Sequence, residues 1–170
     1  MPHDIDPRPD KSAAIELYQR PGFMLRRAHQ IAVSVFLGET AELGVTNTQY
    51  GVLYLLGRRG GLDQASVARL LGLDRSTTAL VVRKLEQRGL IGRSIDPSDR
   101  RRHCLVLTEA GTAMLTELAA PAATARDRLL EPLDPEEQAT LAALLGKLIG
   151  AFNTTARVPL LAEADELTDV

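Results

Sequence analysis

Two helical runs meet at a glycine between residues 64 and 85, and the apolar period then changes abruptly. The stretch reads QASVARLLGLDRSTTALVVRKL, with Asp63 placed to cap a short helix through Leu71 and Gly72 to stop it. Asp74 caps the next run, which carries Thr78, Val81, Val82 and Leu85 at helical spacing and ends at Gly89. From Leu90 to Ser94 and from Arg102 to Leu107 the pattern becomes strand-like, with Asp96-Pro97-Ser98-Asp99 as the turn between. Few folds accept two short helices hinged at a glycine and followed at once by a hairpin. Ala68 is small where the two helices must cross, and Gly72 supplies the backbone freedom of the turn.

With the inner face fixed, Arg75, Ser76, Thr77, Ala79, Leu80, Arg83 and Lys84 fall on outer or flanking surfaces of the second helix. A DNA major groove admits one α-helix, and base edges there are read by short or forked donors. Ser76 and Thr77 could meet phosphate or base, Arg83 and Lys84 lie deeper along the helix, and Leu80 suits a thymine methyl. A helical hairpin with a hydrated charged face would show much of the same pattern. The basic run Arg100-Arg101-Arg102-His103 favours DNA, because it sits at the hairpin tip, where a wing reaches a minor groove.

Charge agrees with this once it is read locally. The whole chain carries a net charge of −2, yet between Arg58 and His103 eleven Arg or Lys face five Asp or Glu, a balance of +6. The remaining residues hold nine against seventeen, a balance of −8. A polyanion would meet one basic segment on an otherwise acidic protein.

The flanking sequence is helical. Pro21 opens a run with Leu25, Ala28, Ile31, Ala32, Val35 and Phe36, expected to continue to Leu43 and end at Gly44. Thr46 and Gln49 form a capping box ahead of a helix with Tyr50, Leu53 and Leu56 that stops at Gly60-Gly61. Thr108 and Glu109 begin a long alanine-rich helix with Met114, Leu118, Ala122, Ala125 and Leu129 on one side; Pro121 should kink or break it. Asp134, Pro135 and Glu137 cap a last helix bearing Leu141, Leu144, Leu145, Leu148, Ile149 and Phe152. These terminal stripes exceed what a small winged unit can cover, so a second chain is the natural burial surface; one larger monomeric core is the alternative.

The fold class is therefore mainly α with a small β-hairpin wing, a winged helix-turn-helix with terminal helices forming a dimerisation region. Residues 1–20 read as an N-terminal tail with a short helix near 12–19, residues 21–44 and 108–156 as the helical dimerisation region, 45–107 as the DNA-binding region, and 157–170 as a C-terminal tail. The acidic start lacks the apolar core of a signal peptide, and no apolar run is long enough to span a bilayer. A single cysteine suits a reducing cytoplasm.

The segments DRSTTALVVRKLEQRGLI and DPSDRRRHCLVLTEAG, preceded by Val67-Ala68-Arg69-Leu70-Leu71-Gly72, resemble the MarR family of bacterial regulators over roughly residues 21–152. The most specific part is Asp96-Pro97-x-Asp99-Arg100-Arg101, followed by Leu107-Thr108-x-x-Gly111. The resemblance implies a triangular homodimer on double-stranded DNA, reading an inverted repeat, with Asp99 bracing the wing through a salt bridge and Arg101 entering the minor groove. Thr78 stands where valine is common. Repression is the default that the resemblance implies.

Such regulators usually lose DNA affinity when a small, often aromatic acid binds between the dimer helices and the winged unit. Here Arg26, Arg27 and His29 lie on the first long helix, and Tyr50 and Tyr54 share a face of the next. Guanidinium beside phenol suits a carboxylate attached to a ring. The Arg26-Arg27-Ala28-His29-Gln30 stretch is similar to that in the branch responding to hydroxycinnamates or their CoA thioesters. Surface ion pairs and core tyrosines are the plainer reading of the same residues.

Cys104, beside the cations of the wing, invites a redox-sensor reading, against which stand its strand position and the lack of a second cysteine. No enzyme, metal site or cofactor is indicated: His3, His29 and His103 are scattered, and no glycine loop cradles a phosphate. The rival to a DNA-binding regulator is a helical adaptor or anti-repressor that no longer reads DNA, which would have no use for the arginine wing.

Overall fold

The computed structural model describes residues 11–95 and 103–160. Seven helices and one hairpin follow in the order α1 (Lys11–Tyr18), α2 (Pro21–Glu39), α3 (Asn47–Arg58), α4 (Gln64–Leu71), α5 (Arg75–Gln87), β1 (Ile91–Ile95), β2 (His103–Leu107), α6 (Glu109–Leu130) and α7 (Pro135–Phe152). The strands pair antiparallel, with Ile91 opposite Leu107 and Ile95 opposite His103. Leu62, just before α4, adds a bridge to Leu105, whose amide donates to the Leu62 carbonyl at 2.8 Å.

Most boundaries follow from local chemistry. The Thr46 hydroxyl accepts from the Gln49 amide while the Gln49 side chain accepts from the Thr46 amide, so α3 begins with a reciprocal cap. Asp63, Asp74, Thr108 and Asp134 cap α4, α5, α6 and α7 through their side-chain oxygens. Gly72 takes a left-handed conformation at φ 62°, which lets α4 stop and α5 start three residues later.

One expectation needs correction and another is narrowed. The α2 run does not stay α-helical to Leu43. Thr40 is buried and its hydroxyl donates to the Phe36 carbonyl at 2.8 Å, so α2 closes there and a single 3₁₀ turn over Ala41–Leu43 leads into left-handed Gly44. Of the kink or break expected at Pro121, the break does not occur: α6 runs for 22 residues. Proline there forgoes one hydrogen bond, to the Glu117 carbonyl. Leu118 and Ala125 on either side are buried and hold both halves in place.

One core forms around α3, α5 and the hairpin. Val52, Leu53, Val67, Val82, Leu85, Ile91, Leu105 and Leu118 are its main members. The terminal helices contribute little. Along α2 only Phe36 is buried, whereas Leu25 and Ile31 lie exposed. On α7 no residue is buried, and Leu144, Leu148 and Phe152 are 56%, 47% and 63% exposed. Among the described residues there is therefore no larger monomeric helical core, and the apolar stripes of α2 and α7 stand largely exposed.

Candidate nucleic-acid interface

The α5 helix is pinned by its cap. Asp74 Oδ1 accepts from the Thr77 amide at 2.9 Å and Oδ2 from the Thr77 hydroxyl at 2.8 Å. These bonds from Thr77, with smaller help from the Ser76 amide and the charge of Arg157, hold the Asp74 carboxyl below its ordinary value. An ionised cap also complements the positive end of the helix dipole. Thr78 is buried and its hydroxyl donates to the Asp74 carbonyl at 2.8 Å, so threonine in place of valine leaves no orphan donor in the core.

Thr78, Val81, Val82 and Leu85 are all buried, and Arg75, Ser76, Arg83, Lys84 and a half-exposed Leu80 stand on the opposite side. Ala79 is half-buried between these faces. Thr77 is half-buried as well, and its hydroxyl proton is committed to Asp74 rather than free for a nucleic acid. The outer face of α5 thus offers one short donor, two guanidiniums, one ammonium and one apolar tip.

The hairpin is braced against α5 by Arg93, whose Nε donates to Glu86 Oε1 at 2.7 Å. Its tip, with the expected wing residues Asp99, Arg100, Arg101 and Arg102, lies outside the described residues. Cys104 points inward and is 2% exposed, which denies an oxidant the access that thiol sensing needs.

At the other end of α5 the Arg88 guanidinium donates to the carbonyls of Gly44, at 2.8 Å, and Leu43, at 3.0 Å. The exit of α5 is thereby tied to the corner between α2 and α3. That corner adjoins a cavity of about 560 Å³ lined by Ala32 and Phe36 of α2, Tyr50 and Tyr54 of α3, and Ala122 and Arg126 of α6. The rings follow one another in tilted contacts, Phe36 to Tyr50 at 5.4 Å and 44° and Tyr50 to Tyr54 at 5.9 Å and 42°, with the Arg58 guanidinium 5.6 Å from the Tyr54 ring centre.

The two tyrosines therefore come together, and the basic residues expected beside them do not. Arg27 and His29 line a separate shallow surface with Gln30, to which Arg27 donates at 3.4 Å, and Arg26 faces the groove beside Phe23 and Met24. His29 lies seven residues before Phe36, on the same face but about 10 Å further along the helix. The cation that does line the cavity, Arg126, was passed over in the sequence. Its signal was the spacing of four residues from Ala122 on the inner side of α6.

Two capped helices joined at a left-handed glycine, a second helix with a free polar face and a two-stranded hairpin packed beside it define a winged helix-turn-helix protein, built to bind DNA. The MarR family model matches residues 45–103. A protein of Thauera aromatica assigned to transcriptional regulation of the hcr operon is 36% identical over 75% of this chain and 77% of its own. The repressor CouR, solved on a 23-mer DNA duplex, is 36% identical with a TM-score of 0.72, covering 78% of this chain and 94% of CouR. CouR has also been solved with p-coumaroyl-CoA, at 33% identity and a TM-score of 0.73 over the same shares. BpsR of Bordetella bronchiseptica, whose DNA binding is regulated by 6-hydroxynicotinic acid, is 30% identical with a TM-score of 0.72, over 77% of this chain and 94% of BpsR. The chain belongs to the MarR family and is a DNA-binding transcription regulator.

Proposed function

We propose that the protein is a cytoplasmic repressor, not an enzyme, that binds an inverted-repeat operator as a homodimer and releases it when a small aromatic acid or its CoA thioester is bound. The observation that carries the DNA reading is the two-sided α5, whose buried face locks the helix in place while Arg75, Ser76, Leu80, Arg83 and Lys84 face outward. Two such helices related by a two-fold axis would enter successive major grooves one helical turn apart. The terminal helices, with their exposed apolar stripes, supply the surface for pairing. Arg100, Arg101 and Arg102 of the wing would reach the flanking minor groove, with Asp99 bracing them.

For the effector, the aromatic-lined cavity between α2, α3 and α6 supports a ring near Tyr50 and Tyr54, with Arg126 exchanging its ion pair to Asp127, at 2.6 Å, for a ligand carboxylate. Arg26, Arg27 and His29 lie further along α2 and would serve a longer ligand such as an acyl-CoA. BpsR, whose DNA binding is regulated by 6-hydroxynicotinic acid, and CouR, solved bound to p-coumaroyl-CoA, support this chemical class. A ligand releases DNA only through unequal affinity for the two conformations, and the Arg88 tie from α5 to the α2–α3 corner gives the cavity a route to the reading helix.

The test is binding of the purified protein to a duplex spanning the intergenic DNA beside its own gene, read by fluorescence anisotropy with random-sequence competitor. Saturable binding is expected, with Arg83→Ala losing about 1–3 kcal/mol at the specific site and hydroxycinnamates or their CoA thioesters raising the apparent Kd. A folded dimer that binds no duplex at low salt would favour the adaptor reading. Calorimetric titrations without heat for any phenolic acid or aryl-CoA would remove the effector proposal alone.

A further inference from the structure

Residues 157–160, expected to begin the C-terminal tail, fold back onto the helix-turn-helix. After α7 a one-turn 3₁₀ segment at Asn153–Thr155 reverses the chain. The Asn153 side chain then closes the loop with two bonds to Leu160, donating to its carbonyl at 2.9 Å and accepting from its amide at 2.7 Å. Leu160 lies over the turn between α4 and α5, so near that a methyl group on Gly72 would sit 3.2 Å from its Cδ2. This seating places Arg157 in a cavity of about 780 Å³ together with Gln64 and Arg69 of α4 and Asp74 and Arg75 at the start of α5.

The charges in that cavity are unbalanced. Arg69, Arg75 and Arg157 bring three guanidiniums to a space where Asp74, hydrogen-bonded to Thr77 and within reach of the charge of Arg157, is the acidic side chain, so positive charge stays in excess. None of the three arginines is held in an ion pair among the described residues. All three are exposed, so the excess positive charge faces solvent beside the end of α5 that carries Arg75 and Ser76. Such a cluster is complementary to a polyanion, and the polyanion already assigned to this face is DNA.

We propose that the C-terminal segment is part of the DNA-binding surface, with Arg157 contacting a backbone phosphate beside those reached from Gln64, Arg69 and Arg75. This rests on the reading of α5 as the DNA-reading helix. Asn153 and Leu160 act as positioning residues that hold Arg157 in place, and the contact carries no base information.

The test is the salt dependence of binding to the specific duplex and to a random duplex, for the wild type, Arg157→Ala, Arg157→Lys and Leu160→Ala. Each phosphate contact contributes about 0.9 to the slope of log K against log salt on B-form DNA. Arg157→Ala is expected to flatten the slope by about 0.9 and to weaken both duplexes by the same factor. Arg157→Lys should retain the slope, and Leu160→Ala should reproduce the loss by releasing the segment. An unchanged slope for Arg157→Ala, tighter binding, or a loss confined to the specific duplex would each overturn the inference while leaving α5 as the reader. Failure of the wild type to bind either duplex would overturn both.

Discussion

Gly111 shows how one missing side chain constrains a junction. It is buried in the first turn of α6, and a methyl group added there would collide with the Leu90 carbonyl, the same oxygen that accepts the Thr108 amide. Backbone on both sides leaves nothing to give way, so Gly111→Ala is expected to cost about 3 kcal/mol in urea denaturation. Gly57→Ala should cost less, because the methyl would press on the flexible end of Leu115. Asp74 makes a prediction in pH. Its folded-state pKa lies below the ordinary 3.8, so the stability it contributes is complete above that value and lost as pH falls through the lower folded value. Thermal melts of the wild type and Asp74→Asn should therefore differ at neutral pH and converge in acid below pH 3.8. A gap that persists undiminished in acid would mean that the ionised cap is not its source.

At the scale of elements, the starts of α3 to α7 were legible because each is written by a cap within four residues. Asp63, Asp74, Thr108 and Asp134 all cap the helices expected of them. Terminations resting on side-chain competition were harder to read, as Thr40 shows by closing α2 ahead of Gly44. Pro121, expected to kink or break its helix, does not break it, for a related reason. Propensity charges proline its full cost, whereas tertiary packing on Leu118 and Ala125 keeps α6 continuous around a single lost bond. That cost remains stored in the helix. Pro121→Ala should raise stability, by up to about 3 kcal/mol, measured as a shift in the urea midpoint at constant slope. A lower midpoint would show that the proline ring is needed beside Glu117 and Leu43, with which it lines a surface cleft.

For the whole molecule the governing fact is that the core belongs to the winged unit while α2 and α7 present apolar faces outward. Pairing of two chains would cover those faces and fix the spacing of the two reading helices. Leu148→Asp places a charge on the α7 stripe without touching the buried core. Sedimentation equilibrium should then report a larger fraction of monomer, and specific DNA binding should fall in step, with little change in α-helical circular dichroism. A variant that stays dimeric would move the interface away from α7. Arg88 adds a second relation at this scale, tying residues 44 apart so that a shift of the α2–α3 corner is felt at the exit of α5.

The sequence by itself determined the class of fold, the caps, the glycine turn and the buried and exposed faces of α5, since all of these depend on residues within a turn or two of one another. It also marked the basic segment, because charge excess is countable along a chain. Tertiary structure alone decided which distant side chains share a space. It put Arg126 beside Tyr50 and Tyr54, left Arg26, Arg27 and His29 outside that cavity, and brought Arg157 to Arg69 and Arg75. The physical reason is reach. A periodic pattern specifies a face, but a cavity depends on where helices cross and how far along each axis a side chain stands, and that is set by the packing of the core.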